Sequence, residues 1–391
     1  MLAKPLRIGV AGLGVASTQV LPVFKNKGRP YELSAGADNR SEARNLFQKE
    51  YDRPTEKSVE DLCSRSDVDA VWISTPNTVH AEHAICAARN GKHIICEKPM
   101  AVTLSECEEM IKAASNNNVQ FLQGHSKIYG APIKAIRDVV ASEKLGKVLQ
   151  IQTSNYNNWL QRPRLAPEVD TSKGGGLVYR QGPHMIDIVR YIGGGEVSSV
   201  VGMAGRADKN FDTEGHFSAF LRFKNGAVST LSFNGYGYFD VAELTWNIGE
   251  GGLPQTGSRT FPLGPRLTGP VDPKSKSEGA ARRQATKGGP KEKRQQPFFG
   301  LTIVSCERGV IRQSPEGLFI YTQEGCEEIL CDGGQGREGE LMELASALSE
   351  GRQAFPDGKW GKATLEVCLA IIASSGDGRS QKLNHQVAVP R

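Results

Sequence analysis

Cysteine is scarce and shows no pairing pattern. The 391 residues carry eight cysteines and no Cys-x-x-Cys, which excludes a disulfide framework and a zinc knuckle and predicts reduced thiols used as small core residues; no metal site is expected. No apolar run approaches the ~18 residues that a membrane span needs, so an integral membrane protein is excluded. The opening MLAKPLRIGVAGLG passes into a strand-like segment without a small-residue cleavage site, which argues against a secretory leader and for a cytoplasmic protein. An internal repeat is lacking too.

A strong charge of one sign is also missing once the net +5 is located. Residues 258–297 hold ten Lys or Arg against three acids, a local +7, so the rest of the chain is at −2. This Gly/Pro/Lys/Arg-rich segment has few aliphatics to bury and reads as a long exposed loop or arm. Nucleic-acid binding is disfavoured because no aromatic residue interrupts the basic run from Arg266 to Arg294.

What the chain does contain is rhythm. Strand-like runs at 7–11, 31–38, 69–75, 93–96 and 119–122 alternate with helical segments at 18–27, 41–50 (Ser41 a candidate N-cap), 78–90 and 103–115. That spacing predicts a parallel α/β sheet over residues 1–125. From 126 to 391 the rhythm changes to a helix (131–142), strand-like runs at 147–156, 197–206, 215–223, 226–235 and 239–248, a helix at 183–193 and late helices at 337–349 and 361–374. The Asn225-Gly226 pair marks a tight hairpin. A second, α+β domain with an open, mostly antiparallel sheet is expected.

The first strand runs into Gly12-Leu13-Gly14-Val15-Ala16-Ser17, a GxGxxG pattern with serine in the third glycine position. The first glycine permits a tight turn, the second lets backbone approach a pyrophosphate, and the third position needs only a small residue. Asp38, with Asn39 and Arg40 after it, ends the second strand, where an acid accepts hydrogen bonds from an adenosine ribose. The acid favours NAD; Arg40 keeps NADP open, because a guanidinium pairs with a 2′-phosphate.

Three further blocks resemble the Gfo/Idh/MocA family of NAD(P)-dependent oxidoreductases: Ser74-Thr75-Pro76-Asn77 with His80, Gly91-Lys92-His93 leading to Glu97-Lys98-Pro99, and Gly174-Gly175-Gly176 followed by His184 and Asp187. The resemblance implies a Rossmann domain followed by an α+β domain whose open sheet packs on a partner subunit, in a homodimer or homotetramer. It also implies that Thr75, Pro76, Asn77, His80 and Glu97 lie along the cofactor, while Lys98 contacts the reacting hydroxyl.

In the family's usual third block an Asp stands where this chain has Arg180. Arginine is no base at neutral pH but clamps carboxylates through paired hydrogen bonds. The departure argues for an anionic substrate, with Arg162 and Arg164, and in addition Lys173, in the loop after the first strand of the second domain as further cations. An Arg180 without an anion or an acidic partner would be costly to desolvate.

Within the family the block resembles the phthalate dihydrodiol dehydrogenases, implying oxidation of an aromatic-acid cis-dihydrodiol. His184 or Lys98 is then the base, and Asp187, one turn after His184, a candidate to orient it. A sugar or inositol dehydrogenase and a non-catalytic NAD(P) sensor are the alternatives. His83, His93, His125, His216, His385 and Cys96 read as structural.

Overall fold

The computed structural model describes residues 4–252, 266–272, 295–332 and 336–390. Most of the basic 258–297 segment lies outside the described residues, so the expected arm is seen only at 266–272 and 295–297. The chain divides into two compact units: residues 1–126 with 336–365, and residues 127–335 with 366–391. Among the described residues no helix is long and apolar enough to cross a membrane.

In the first unit, β1 (Leu6–Ala11), β2 (Tyr31–Ala37), β3 (Thr55–Glu56), β4 (Ala70–Ile73), β5 (His93–Glu97) and β6 (Phe121–Gly124) form one parallel sheet. Its order is β3-β2-β1-β4-β5-β6. Central strands such as Ala70-Val-Trp-Ile73 are apolar at every position because both faces are covered. The connections are α1 (Ser17–Val20), continued by a 3₁₀ turn to Lys25, then α2 (Ser41–Tyr51), α3 (Val59–Ser64), α4 (His80–Arg89) and α5 (Leu104–Asn116). Ser41, expected as an N-cap, is instead the first helical residue, and Arg40 occupies the cap without a side-chain bond. The order reverses between β1 and β4, so a crevice opens at the carboxyl ends of these strands.

The second unit holds α6 (Ala131–Ala141), β7 (Val148–Tyr156), α7 (Gly176–Arg180), α8 (Gly182–Gly193), β8 (Val197–Gly205), β9 (His216–Phe223), β10 (Val228–Asn234) and β11 (Leu301–Cys306), followed by β12 (Gly309–Gln313), β13 (Gly317–Thr322) and β14 (Gly325–Leu330). The late helices are α9 (Gly336–Glu350) and α10 (Gly358–Asp377), with the short β15 (Gln381–Lys382) last. The nine-stranded sheet runs β14-β13-β12-β11-β7-β10-β9-β8-β15 and is antiparallel except for β7 with β10. Asn225-Gly226 makes the β9–β10 hairpin, with Gly226 at φ +94°. Burial alternates along β10 and β11, and α8 packs on β7 and β10.

Two expectations change. The strand expected over 239–248 is a 3₁₀ turn, Val241–Leu244, because the Asp240 carboxylate accepts the Ala242 N–H at 2.9 Å and closes the chain locally. The second domain expected over 126–391 is also interrupted. Leu341, Leu344, Ala347 and Ala354 share a core with Ile8, Val10, Trp72, Ile95 and Leu122, so 336–365 belongs to the first unit.

Candidate active site

The turn after β1 is shaped for close backbone approach. Gly12 has φ +85°, and a Cβ there would meet the Ser74 carbonyl and the Thr75 nitrogen at 2.8 Å. The Ser74 hydroxyl sits 2.9 Å and 2.7 Å from the carbonyl oxygens of Ala11 and Gly12, tying the ends of β1 and β4 together. Ser17 is buried, and its hydroxyl donates to the Gly14 carbonyl at 2.8 Å, so serine replaces the third glycine without strain. A turn this tight, with only Arg40 Nη2 within 4 Å of where a Gly14 side chain would start, leaves backbone open to a pyrophosphate. Val15 adds a carbonyl held by the Thr18 hydroxyl at 2.7 Å.

Asp38 is more committed than its sequence position suggests. One carboxylate oxygen accepts from the Leu13 N–H at 2.8 Å and Arg40 Nη2 at 2.9 Å; the other accepts from Arg40 N and Nε, both at 2.9 Å. Burial pushes the Asp38 carboxyl up, but Arg40 and the Leu13 N–H outweigh it and hold its pKa below the ordinary value. The Arg40 side chain is half exposed and can swing off, leaving Asp38 to accept from a ribose. Asn39 is exposed beside it.

The Ser74–Asn77 turn and the Glu97–Pro99 turn are joined by His80. Its Nε2 lies 2.9 Å from the Thr75 carbonyl and its Nδ1 lies 3.0 Å from the Pro99 carbonyl. Burial drives the His80 pKa down against those two contacts, so the ring is neutral and donates to one carbonyl at a time. His80 therefore ties the two turns to each other. His83, read as structural, is bonded to Thr75 Oγ1 at 2.9 Å; Pro76 is exposed and Asn77 half-buried in the same turn.

Glu97, at the end of β5, has a protein partner of its own. Its buried carboxylate pairs with Arg337, with Oε1 at 2.6 Å from Nη1 and Oε2 at 3.1 Å from Nη2. Lys98 follows it, joined to Pro99 by a cis peptide. Arg337 lies in α9, whose sequence pattern marks a helix but no site. Burial works against its charge, but Glu97 and Glu340 more than offset this and raise its pKa.

In the second unit the Gly174-Gly175-Gly176 block is a packing requirement. A Cβ on Gly176 (φ +88°) would collide with Thr213 Oγ1 and lie 2.7 Å from Glu214 Oε1, and one on Gly175 would lie 2.8 Å from the Asp170 carbonyl. Buried Glu214 accepts the Val178 N–H of α7 at 2.7 Å and the Thr171 and Thr213 hydroxyls at 2.5 Å and 3.0 Å. It fixes the short helix that ends at Arg180.

Arg180 has the acidic partner that the sequence did not reveal. Its Nη2 donates to Glu168 at 3.0 Å, and Glu168 also accepts the Leu165 N–H at 2.9 Å. With Glu168 as partner, Arg180 needs no external anion to offset its desolvation, contrary to the expectation from sequence. Arg164 stacks 4.7 Å over the Trp159 ring, Arg162 Nε donates to Asn158 at 2.9 Å, and Lys173 is exposed and paired with Asp170.

His184 opens α8, buried, with its ring 4.9 Å from that of Phe299. Asp187, also buried, follows one helical turn later on the same face. The Lys127 ammonium lies 4.9 Å from Phe299 and 3.7 Å from Glu250. Along the adjoining strand end and loop, Asn155 Nδ2, Asn157 Nδ2, Trp159 Nε1 and Gln161 Nε2 are buried donors with no hydrogen-bond partner among the described residues. The alternation of these four residues was the available signal.

Two family models match: the oxidoreductase family with NAD-binding Rossmann fold over residues 6–125 and the GFO/IDH/MocA C-terminal domain over 133–247. The chain is 33% identical to 1-carboxy-3-chloro-3,4-dihydroxycyclohexa-1,5-diene dehydrogenase of Comamonas testosteroni, with 94% of each covered. The protein belongs to the Gfo/Idh/MocA family. This Gfo/Idh/MocA dehydrogenase uses NAD, as the glycine turn and Asp38 led one to expect. A solved structure from Bordetella bronchiseptica RB50 is 33% identical with TM-score 0.88, covering 97% of this chain and all of the other. An Agrobacterium radiobacter oxidoreductase solved with NAD⁺, L-tartaric acid and magnesium shares the fold at 18% identity and TM-score 0.74, covering 97% and 98%.

Proposed function

We propose that this dehydrogenase oxidises the cis-dihydrodiol of an aromatic carboxylic acid, with phthalate dihydrodiol as the first candidate, to the dihydroxy aromatic acid. The observation that carries this reading is the similarity, over nearly the full length of both chains, to a dehydrogenase named for a carboxylated dihydroxycyclohexadiene. The buried amide and indole donors of Asn155, Asn157, Trp159 and Gln161, with Arg164 over the Trp159 ring and Phe299 against His184, suit a planar ring bearing carboxylates.

Bound NAD supplies the hydride acceptor. Lys98 hydrogen-bonds the reacting hydroxyl and stabilises the alkoxide as it forms, and His184 takes the hydroxyl proton. Asp187 orients His184. Arg180 grips a carboxylate while sharing its charge with Glu168, and Arg162 and Arg164 add to the positive lining. Loss of hydride and proton leaves a hydroxy-enone that tautomerises to the aromatic diol, so the residues chiefly orient and neutralise. We also infer a cytoplasmic homodimer or homotetramer formed on the outer face of the nine-stranded sheet.

The test is NADH formation with phthalate cis-dihydrodiol and, in parallel, myo-inositol. Turnover of the dihydrodiol alone, with KM rising about tenfold or more in Arg180→Ala, is expected for the loss of one carboxylate contact of ~1.4 kcal/mol or more. Turnover of inositol alone would return the chain to the polyol dehydrogenases.

A further inference from the structure

The segment that returns to the first unit delivers two charged side chains to its parallel sheet, and the active-site residues inferred above do not include them. Arg337 is 12% exposed and Glu340 is fully buried. One guanidinium meets four elements: Glu97 on β5 at 2.6 Å, Glu340 on its own helix α9 at 3.3 Å, the Trp72 ring of β4 at 5.8 Å, and Gln19 of α1 at 3.5 Å. Trp72 Nε1 in turn donates to Glu97 at 3.4 Å.

The position of this cluster on the sheet gives it meaning. Asp38 follows β2, the Gly12 turn follows β1, and Glu97 ends β5, in the spatial order β2-β1-β4-β5. A dinucleotide with its adenosine ribose at Asp38 and its pyrophosphate over Gly12–Gly14 runs along the carboxyl edge towards β4 and β5. Its redox ring therefore arrives at the edge that Glu97, Lys98 and Arg337 occupy.

We propose that Arg337 and Glu340 tune the discrimination between oxidised and reduced NAD by fixing the charge at this edge. The inference rests on NAD binding and on Lys98 standing at the nicotinamide end, and it is independent of which diol is oxidised. The oxidised ring carries one positive charge and the reduced ring none. Two carboxylates, one guanidinium and the Lys98 ammonium sum to zero. Any imbalance among them acts on one redox form and spares the other, because in a low-dielectric site a unit charge is felt across several ångströms. Glu340 is the counterweight: without it the edge is positive and repels the oxidised ring.

The experiment measures dissociation constants of NAD⁺ by calorimetry and of NADH by fluorescence, without substrate, for the intact chain and for Glu340→Gln, Arg337→Met and Arg337→Lys. Glu340→Gln keeps the shape and adds one positive charge, so NAD⁺ binding should weaken about three- to tenfold relative to NADH. Arg337→Met should shift the ratio the other way, and Arg337→Lys should return it towards the starting value. If Arg337→Met fails to fold, Glu340→Gln decides alone. An unchanged ratio in Glu340→Gln, or loss of both redox forms by one common factor, would overturn the proposal and leave Arg337 a packing residue. Failure to bind either form in the intact chain would overturn it together with the cofactor assignment, whereas an incorrect diol would leave these constants untouched.

Discussion

At the residue scale, Asp38 shows how a short motif acquires its selectivity. Its carboxylate accepts from Leu13 and Arg40, so it is ionised and directed before any ligand arrives. A 2′-phosphate would meet that charge at close range, whereas ribose hydroxyls would merely displace Arg40. Asp38→Ser should raise the NADP-to-NAD ratio of kcat/KM at least tenfold, with Arg40 then free to pair with the phosphate; steady-state kinetics with both cofactors checks it. The turn glycines and Asp38 could be read from sequence because their spacing reports backbone shape. The Glu97–Arg337 and Arg180–Glu168 pairs could not, since an ion pair between residues 240 or 12 positions apart leaves no periodic trace.

At the scale of elements, the alternating βα rhythm of the first unit was legible because each buried strand is a run of apolar residues and each helix starts on a polar turn. Strands β11 to β14 of the large sheet were not. Outward positions such as Ile303, Val310, Phe319 and Tyr321 are as apolar as the inward ones, and β14 is almost wholly exposed, so neither shows an inside–outside contrast. The Gly174–Gly176 block was visible, but its reason was not: it clears room for Glu214, the acceptor at the start of α7. Glu214→Ala should lower stability by about 1–3 kcal/mol, because the buried Val178 N–H loses its acceptor and two threonine hydroxyls, still bonded to each other, lose the carboxylate. Chemical denaturation measures that loss, and if Glu214 positions Arg180, KM for the anionic substrate should rise as well.

At the scale of the whole molecule, a nine-stranded sheet with an outward row running Val201, Phe220, Thr230, Gln152, Ile303, Arg312 and Phe319 presents a broad face. Val201 and Met203 on β8 are 47% and 70% exposed. If copies of the chain assemble there, Met203→Asp should shift the species seen in sedimentation towards the monomer without altering NAD binding. The return of residues 336–365 has a different consequence, in time rather than space. On the ribosome, the glycine turn and all six parallel strands emerge first, yet Leu341, Leu344 and Ala354, which complete their core, follow only after the whole of residues 127–335. The nucleotide-binding unit therefore waits, incompletely packed, while the other domain is translated, and the arrival of residues 336–365 decides when it closes.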